Sequence, residues 1–225
     1  AQFEESSTVT PYVKTDVTWT SRASNATYYD YTGTLRKSSY NLATNSEAFD
    51  SGAYIQQNVT VNANAITAPD GTDSADYIQE NTSNGRHRVY DQFSVSSGTT
   101  YTASVYVKSS TRNLLINANT AFNAMSSFSL TGNGSVLHTH SGSATITNVG
   151  NGWYRCTVTG TATSSTTHYV FYQAQDGATD SDYTGDGSSG IYLWGAQIET
   201  GPYAGDYAKT EGSAASSART SAYLP

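Results

Sequence analysis

The sequence predicts an all-β protein with the layout of a β-sandwich or jelly roll. Thr, Tyr and Val suit a pleated, half-buried surface, and Tyr alone occurs 18 times in the 225 residues. Only 13% of the residues are charged, and no apolar pattern with a helical period persists beyond a turn or two. About ten short strand-like runs are separated by glycine-containing turns, a spacing typical of two packed antiparallel sheets.

The expected strands follow one another through most of the chain. Pro69-Asp-Gly71 marks an early turn, because proline presets φ and glycine accepts the left-handed conformation. Strands are expected at 59–61, 76–80, 87–95, 101–108, 114–117, 127–130, 145–149, 154–162, 168–175 and 191–198.

Alternation along three of these strands separates a core face from an outer face. The residues expected in the core are Tyr101, Ala103, Val105, Val107, Tyr154, Cys156, Val158, Val170, Tyr172 and Ala174. Their outward neighbours include Tyr106, Arg155, Tyr169, Phe171 and Gln173. Trp153 and Trp194 stand near strand ends, where a tryptophan commonly anchors a core or its rim through its ring and N–H.

The start of the chain is similar to a segment near its end. Residues 1–15 align without a gap with 196–210, and six of the fifteen positions are identical. Such repeats are typical of domain arrays. We therefore interpret 1–15 as the closing strand of a preceding similar module, 16–45 as a connector, 46–210 as a complete module and 211–225 as a linker to a following segment. The alternative is a chance match between two Ala- and Thr-rich strands.

Charge, apolar runs and cysteine content argue against nucleic-acid binding, membrane insertion and an internal disulfide. The formal charge of −7 disfavours nucleic acid, because phosphate binding needs clustered Lys and Arg. No apolar run approaches the roughly 20 residues needed to cross a bilayer, so membrane insertion is not expected. The single cysteine, Cys156, excludes an internal disulfide, and its place among apolar residues predicts an inert buried thiol. This composition fits a virion or an extracellular surface.

Several segments, in order along the chain, resemble a known family. The resemblance covers residues 22 to about 210, and the family is that of carbohydrate-binding-like jelly-roll modules in tailed-bacteriophage fibre, spike and decoration proteins. The segments that carry it are Arg22-Ala-Ser-Asn-Ala-Thr-Tyr-Tyr-Asp-Tyr-Thr-Gly-Thr34, Leu42-Ala-Thr-Asn-Ser-Glu-Ala-Phe49, Thr67-Ala-Pro-Asp-Gly-Thr72, Tyr101-Thr-Ala-Ser-Val-Tyr-Val-Lys108, Gly150-Asn-Gly-Trp-Tyr-Arg-Cys156 and Gly190-Ile-Tyr-Leu-Trp-Gly-Ala-Gln-Ile-Glu199.

The resemblance implies a non-enzymatic structural protein of the virion, in a head or tail fibre or a capsid decoration, that adheres to host or environmental glycans. It implies no catalytic residue, and it implies homotrimers that contact other virion proteins. Two alternatives remain open. The module is a spacer or capsid-cementing element without a ligand, or it is the accessory glycan-binding module of a polysaccharide depolymerase.

Two sets of residues are candidates for ligand binding. Sugars are held by aromatic faces flanked by amide or guanidinium groups, which predicts a glycan-binding face formed by Tyr106, Arg155, Tyr169, Phe171 and Gln173. The alternative is that these residues pack against a loop or a neighbouring subunit. Calcium prefers carboxylate and carbonyl oxygens in irregular loops, which makes Asp176, Asp180, Asp182 and Asp186 a candidate metal site. Turn formation by aspartate is the alternative, and no other cofactor is expected.

Overall fold

The computed structural model describes residues 27–29, 35–37, 40–177, 179 and 182–216. Almost all of the regular structure in these residues is strand, so the prediction of an all-β protein is confirmed. The strands are β1 Thr27–Tyr29, β2 Leu35–Lys37, β3 Tyr40–Asn41, β4 Ile55–Gln57, β5 Val59–Ile66, β6 Ala75–Glu80, β7 Asn84–Gly85, β8 His87–Val95, β9 Thr100–Ser109, β10 Asn113–Asn117, β11 Met125–Ser129, β12 Ser135–Ser141, β13 Ser143–Gly150, β14 Trp153–Thr161, β15 Thr166–Gln175, β16 Tyr183–Thr184, β17 Gly190–Thr200 and β18 Ala215–Ser216. One short helix, α1 Asn119–Phe122, lies between β10 and β11.

Two six-stranded antiparallel sheets form the body of the protein. Sheet 1 has the order β12-β11-β10-β15-β8-β4, and sheet 2 has the order β13-β14-β9-β17-β6-β5. Three further two-stranded pairs, β1-β2, β16-β7 and β18-β3, complete the described strands. Neighbours within each sheet are often far apart in sequence: β17, for example, pairs with both β6 and β9. The architecture is therefore an all-β sandwich held by long-range strand pairing.

The core lies between the two sheets and contains the residues that alternation places there. All ten predicted core residues belong to one buried apolar cluster. Within this cluster, the Phe49 ring contacts those of Tyr54 and Tyr172, with centroids 4.9 and 6.1 Å away. Burial raises the pKa of the Cys156 thiol, as expected for an inert internal side chain.

A second, smaller apolar cluster covers part of the outer face of sheet 2. It contains Ala68, Ala75, Trp153 and Trp194, with Tyr207 packed against it. Each tryptophan N–H has an acceptor, Thr67 O at 3.3 Å and Ser74 Oγ at 3.0 Å. The prediction that both tryptophans are packing anchors is therefore confirmed.

The chain segments on either side of the predicted module are attached to the sandwich. In the interval assigned to the connector, Asn41 is buried, and its Nδ2 donates to the carbonyl oxygens of Ala196 and Ala208, each at 2.9 Å. In the interval assigned to the following linker, β18 pairs with β3. Residues 1–15, the predicted strand of a preceding module, lie outside the described residues, and the division into modules stays a prediction.

Among the described residues, no helix is both long and apolar enough to cross a membrane.

Candidate ligand-binding surfaces

The five residues predicted to form one glycan-binding face lie on two different sheets. Tyr106 on β9 and Arg155 on β14 belong to sheet 2, and they pair directly across these strands. Tyr169, Phe171 and Gln173 belong to β15 in sheet 1. All five alternate with core residues, so they point away from the core on opposite sides of the sandwich. The prediction of a single face is wrong, and two separate surfaces replace it.

The outer face of sheet 1 carries a group of three aromatic rings. Tyr90 on β8 lies edge-on to Tyr169, with ring centroids 5.2 Å apart, and tilted against Phe171 at 4.8 Å. Tyr169 and Phe171 are 5.8 Å apart. All three are only partly buried, and Ile55, which pairs with Tyr90 and is 44% exposed, extends the surface towards the sheet edge. We call Tyr90, Tyr169 and Phe171 the aromatic platform.

A cation and two amides flank the aromatic platform. The guanidinium carbon of Arg88 lies 4.1 Å from the centre of the Phe171 ring and 5.5 Å from that of Tyr90, which is close enough for a cation–π contact. Arg88 Nε donates to Gln57 Oε1 at 2.7 Å. Gln92, opposite Tyr169 on the neighbouring strand, is exposed. The sequence analysis missed Arg88 and Tyr90, although alternation along 87–95 places both on the outer face.

The platform ends where the outer face of sheet 1 becomes buried. Gln173 is fully buried, and its Nε2 donates to Gln175 Oε1 at 2.7 Å. Leu115 and Ser127, which continue the same row across β10 and β11, are also fully buried. A sugar in solvent therefore does not reach Gln173, whereas the partly exposed rings of Tyr169 and Phe171 remain accessible.

On sheet 2, Tyr106 supports the side chain of Arg155. Tyr106 packs edge-on against Trp194 at 5.2 Å and against Tyr207 at 6.1 Å, so its ring is held within the chain. The guanidinium carbon of Arg155 lies 5.3 Å from the centre of the Tyr106 ring, and Arg155 Nη2 donates to Ser104 Oγ at 3.2 Å. Tyr106 thus packs internally, and Arg155 is the polar group of this surface.

Arg155 forms part of a groove of about 220 Å³ on the outer face of sheet 2. The groove runs between β13, β14 and the segment that follows β17, and we call it the Arg155 groove. Five of its ten lining residues are serine or threonine, and the lining also includes the ring of Tyr203, which is 54% exposed. The polar lining residues are Ser143, Thr145, Thr147, Arg155, Thr157 and Thr159.

The predicted calcium ligands that the structure describes contact arginines and turn amides. Asp176 Oδ1 lies 3.3 Å from Arg112 Nη1, and Asp182 Oδ1 lies 3.7 Å from Arg86 Nε. Asp186 accepts hydrogen bonds from the side chain and N–H of Ser189 and from the N–H of Ser188, and these bonds lower its pKa. Asp180 lies outside the described residues. Within the described part of the chain, no three His, Cys, Asp or Glu side chains form a metal-binding group.

A buried carboxylate beside this loop was not found by the sequence analysis. The side chain of Glu80 on β6 is fully buried, and Arg112 donates to both of its oxygens at 2.7 and 2.9 Å. Tyr183 Oη and the N–H of Asp186 also donate to it, at 2.7 and 2.8 Å. Burial alone would raise the pKa of Glu80, but the hydrogen bonds from Arg112, Asp186 and Tyr183 outweigh it, so the pKa lies below its ordinary value. These hydrogen bonds hold the 183–189 loop against β6.

No protein-family model matches the chain, and no curated protein matches it at a significant level.

Proposed function

We propose that this chain is a non-enzymatic structural module of a tailed-bacteriophage virion, in a head or tail fibre or a decoration protein, and that it adheres to glycans. The aromatic platform on sheet 1 is the observation that carries the adhesive part of the proposal. The virion part is supported by the segments that resemble phage jelly-roll modules and by the similarity of 1–15 to 196–210.

The order of the strands supports a jelly-roll assignment. The eight relevant strands in chain order are β6, β8, β9, β10, β11, β14, β15 and β17. In sheet 2 the first of them lies beside the last, as β6-β17-β9-β14, and in sheet 1 the second lies beside the seventh, as β8-β15-β10-β11. A double Greek key wound in this way is the pattern of a jelly roll.

The chemistry of the platform suits a sugar ring. The C–H-rich face of a pyranose packs on an aromatic ring, while its hydroxyl groups need planar donors and acceptors at the edge. Phe171 and Tyr169 supply ring surface, and the amides of Gln57 and Gln92 lie on the adjacent strands at the same face. Because the side chains stand on paired strands rather than on a loop, their spacing is fixed before a ligand arrives.

Assembly strengthens a weak site of this kind. We expect the chain to form homotrimers within a virion that carries many copies, which places several platforms within reach of one glycan-covered surface. Each additional contact is then intramolecular, so overall avidity exceeds single-site affinity by about 10²–10⁴ when the geometry allows simultaneous binding.

A glycan array with single variants tests the adhesive function. We expect the wild-type chain to bind a subset of glycans, and we expect Phe171→Ala and Tyr169→Ala to lower the affinity about tenfold or more, because each removes ring surface that the sugar covers. The matched control is Tyr192→Ala, which removes a partly buried tyrosine from the outer face of sheet 2. Absence of binding by the wild type, or equal losses in all three variants, would contradict adhesion through the platform.

A second candidate, a spacer or capsid-cementing module without a ligand, is favoured by one observation. Leu115, Ser127 and Gln173 point away from the core and are nevertheless fully buried, so part of the outer face of sheet 1 serves packing. An image that locates the chain on its parent particle distinguishes the two. The adhesive proposal expects the aromatic platform to face outward, and the spacer expects it to be covered by neighbouring subunits.

A further inference from the structure

We infer that the Arg155 groove is a second carbohydrate subsite, which selects sugars that carry a carboxylate. This inference rests on the proposed glycan adhesion but uses the opposite face of the sandwich from the aromatic platform. It begins with Arg155, a cation for which the described residues provide no carboxylate partner.

In the described part of the chain, Arg155 has no ion pair, whereas three other cations do. Arg112, Arg86 and Lys209 each lie within 4.0 Å of at least one carboxylate oxygen. For Arg155 the described residues provide no such carboxylate, and its one hydrogen bond is to the neutral hydroxyl of Ser104. Its buried Nε has no acceptor among the described residues. A partly buried guanidinium with five donors and a single neutral partner is well suited to an external anion.

The position of this cation is fixed before any ligand binds. The Tyr106 ring lies against the guanidinium at 5.3 Å, and Tyr106 is in turn held by Trp194 at 5.2 Å. Trp194 is 3% exposed, and its N–H donates to Ser74 Oγ. Arg155 therefore loses little side-chain freedom on binding, which is the condition for a preorganised subsite.

The groove around Arg155 supplies the contacts that a sugar needs beyond its charge. Ser143 and Thr147 on β13 contribute exposed hydroxyl groups to the lining of the groove. Tyr203 contributes an exposed aromatic ring to the same lining. The volume of about 220 Å³ is below the roughly 300–1,000 Å³ of pockets for drug-sized ligands, so the groove suits one sugar unit of a chain.

A carboxylate is the anion that this arrangement favours. A guanidinium presents planar, parallel donors that match the two oxygens of a carboxylate. Polyphosphate ligands are disfavoured, because they require several clustered cations and this chain carries a formal charge of −7. The selective ligand is therefore an acidic sugar unit, such as a hexuronate, whose hydroxyls meet the threonine-rich wall.

Titration calorimetry with tetragalacturonate and with its methyl ester tests this inference, because the ester keeps the sugar and removes the charge. We expect the wild-type chain to bind the acid at least about tenfold more tightly than the ester, the size of one charge-assisted hydrogen bond. Arg155→Gln is expected to abolish this preference, and Arg155→Lys to retain part of it. Arg86→Gln, which removes an arginine outside the groove, is the matched control and should keep the full preference.

The outcomes separate this inference from the proposed function. Equal binding of acid and ester, no binding of the acid, or an unchanged preference in Arg155→Gln would overturn the carboxylate subsite. If the array then still shows glycan binding that depends on Phe171, adhesion through the platform stands alone. If neither the array nor the titration shows any binding, both proposals fall.

Discussion

We expect the free energy of unfolding of an Arg112→Met variant to be about 3 kcal/mol lower than that of the wild type at neutral pH. Glu80 is fully buried and depends on Arg112 for two of its four hydrogen bonds. Removing the cation leaves a buried carboxylate without its counter-ion, a change that typically costs about 3–5 kcal/mol. We place this case at the lower end, because the Arg112 side chain is 16% exposed and Tyr183 and Asp186 still donate to Glu80. Chemical denaturation of both proteins measures the difference.

The pH dependence of this difference in unfolding free energy shows whether it comes from the Glu80 carboxylate. The folded-state pKa of Glu80 lies below its ordinary value of 4.5, so its stabilising contribution is complete above pH 4.5 and is lost as the pH falls through the folded pKa. The difference in unfolding free energy between the wild type and Arg112→Met should therefore decrease at acid pH. Arg86→Met, which breaks an exposed ion pair, should cost less than about 1 kcal/mol.

A double variant keeps this test informative if Arg112→Met does not fold. Replacing both charges, in Arg112→Met with Glu80→Gln, removes the unpaired buried carboxylate and should recover part of the lost stability. A stability difference between wild type and Arg112→Met that does not change with pH would contradict the role given to this ion pair. So would a double variant that is no more stable than Arg112→Met, or that fails to fold when Arg112→Met also fails to fold.

Gly190→Ala is expected to destabilise the protein by about 3 kcal/mol, through a clash with β6 at the start of β17 in sheet 2. A Cβ at this position would lie 2.1 Å from the carbonyl oxygen of Ile78 and 3.0 Å from the Tyr77 ring. The carbonyl belongs to the backbone of β6, which pairs with β17 at this point, so it cannot move without disturbing the pairing. Overpacking of this kind costs about 1–3 kcal/mol and sometimes more. Thermal unfolding should show a fall in Tm of about 6–12 °C.

Gly52→Ala is the matched control for this prediction. A Cβ at Gly52 meets no atom within 4 Å. We expect a change between zero and a small gain of up to about 1 kcal/mol, because alanine restricts the unfolded chain more than glycine does. Equal melting temperatures for the two alanine variants would mean that β6 and β17 are not packed as described.

Much of the sandwich could be predicted because alternation reports local burial. The strand at 87–95 has the same bounds in the sequence analysis and in the structure. β12 was not among the expected strands, since most of its residues are exposed and it lacks an alternating apolar face. The β3-β18 pair was missed for a different reason: each strand has two residues, and their partners are far apart in sequence.

The candidate site was predicted less well, because alternation does not reveal which sheet a strand joins. It oriented Arg155 and Phe171 correctly away from the core but could not separate sheet 1 from sheet 2. It also gave no sign that Gln173, although outward, is buried. Tyr203, which lines the Arg155 groove, lies after the last long strand, where no period exists to indicate its position.

Mapping a bound glycan onto the chain by amide NMR tests the central claim most directly. The isotope-labelled chain would be titrated with a glycan that the array identifies, and shifts would be followed residue by residue. We expect the largest shifts around Tyr90, Tyr169 and Phe171 on β8 and β15, with additional shifts around Arg155 when the glycan carries a carboxylate. Shifts confined to other surfaces, or none at saturating glycan, would contradict adhesion through the outer faces of these two sheets.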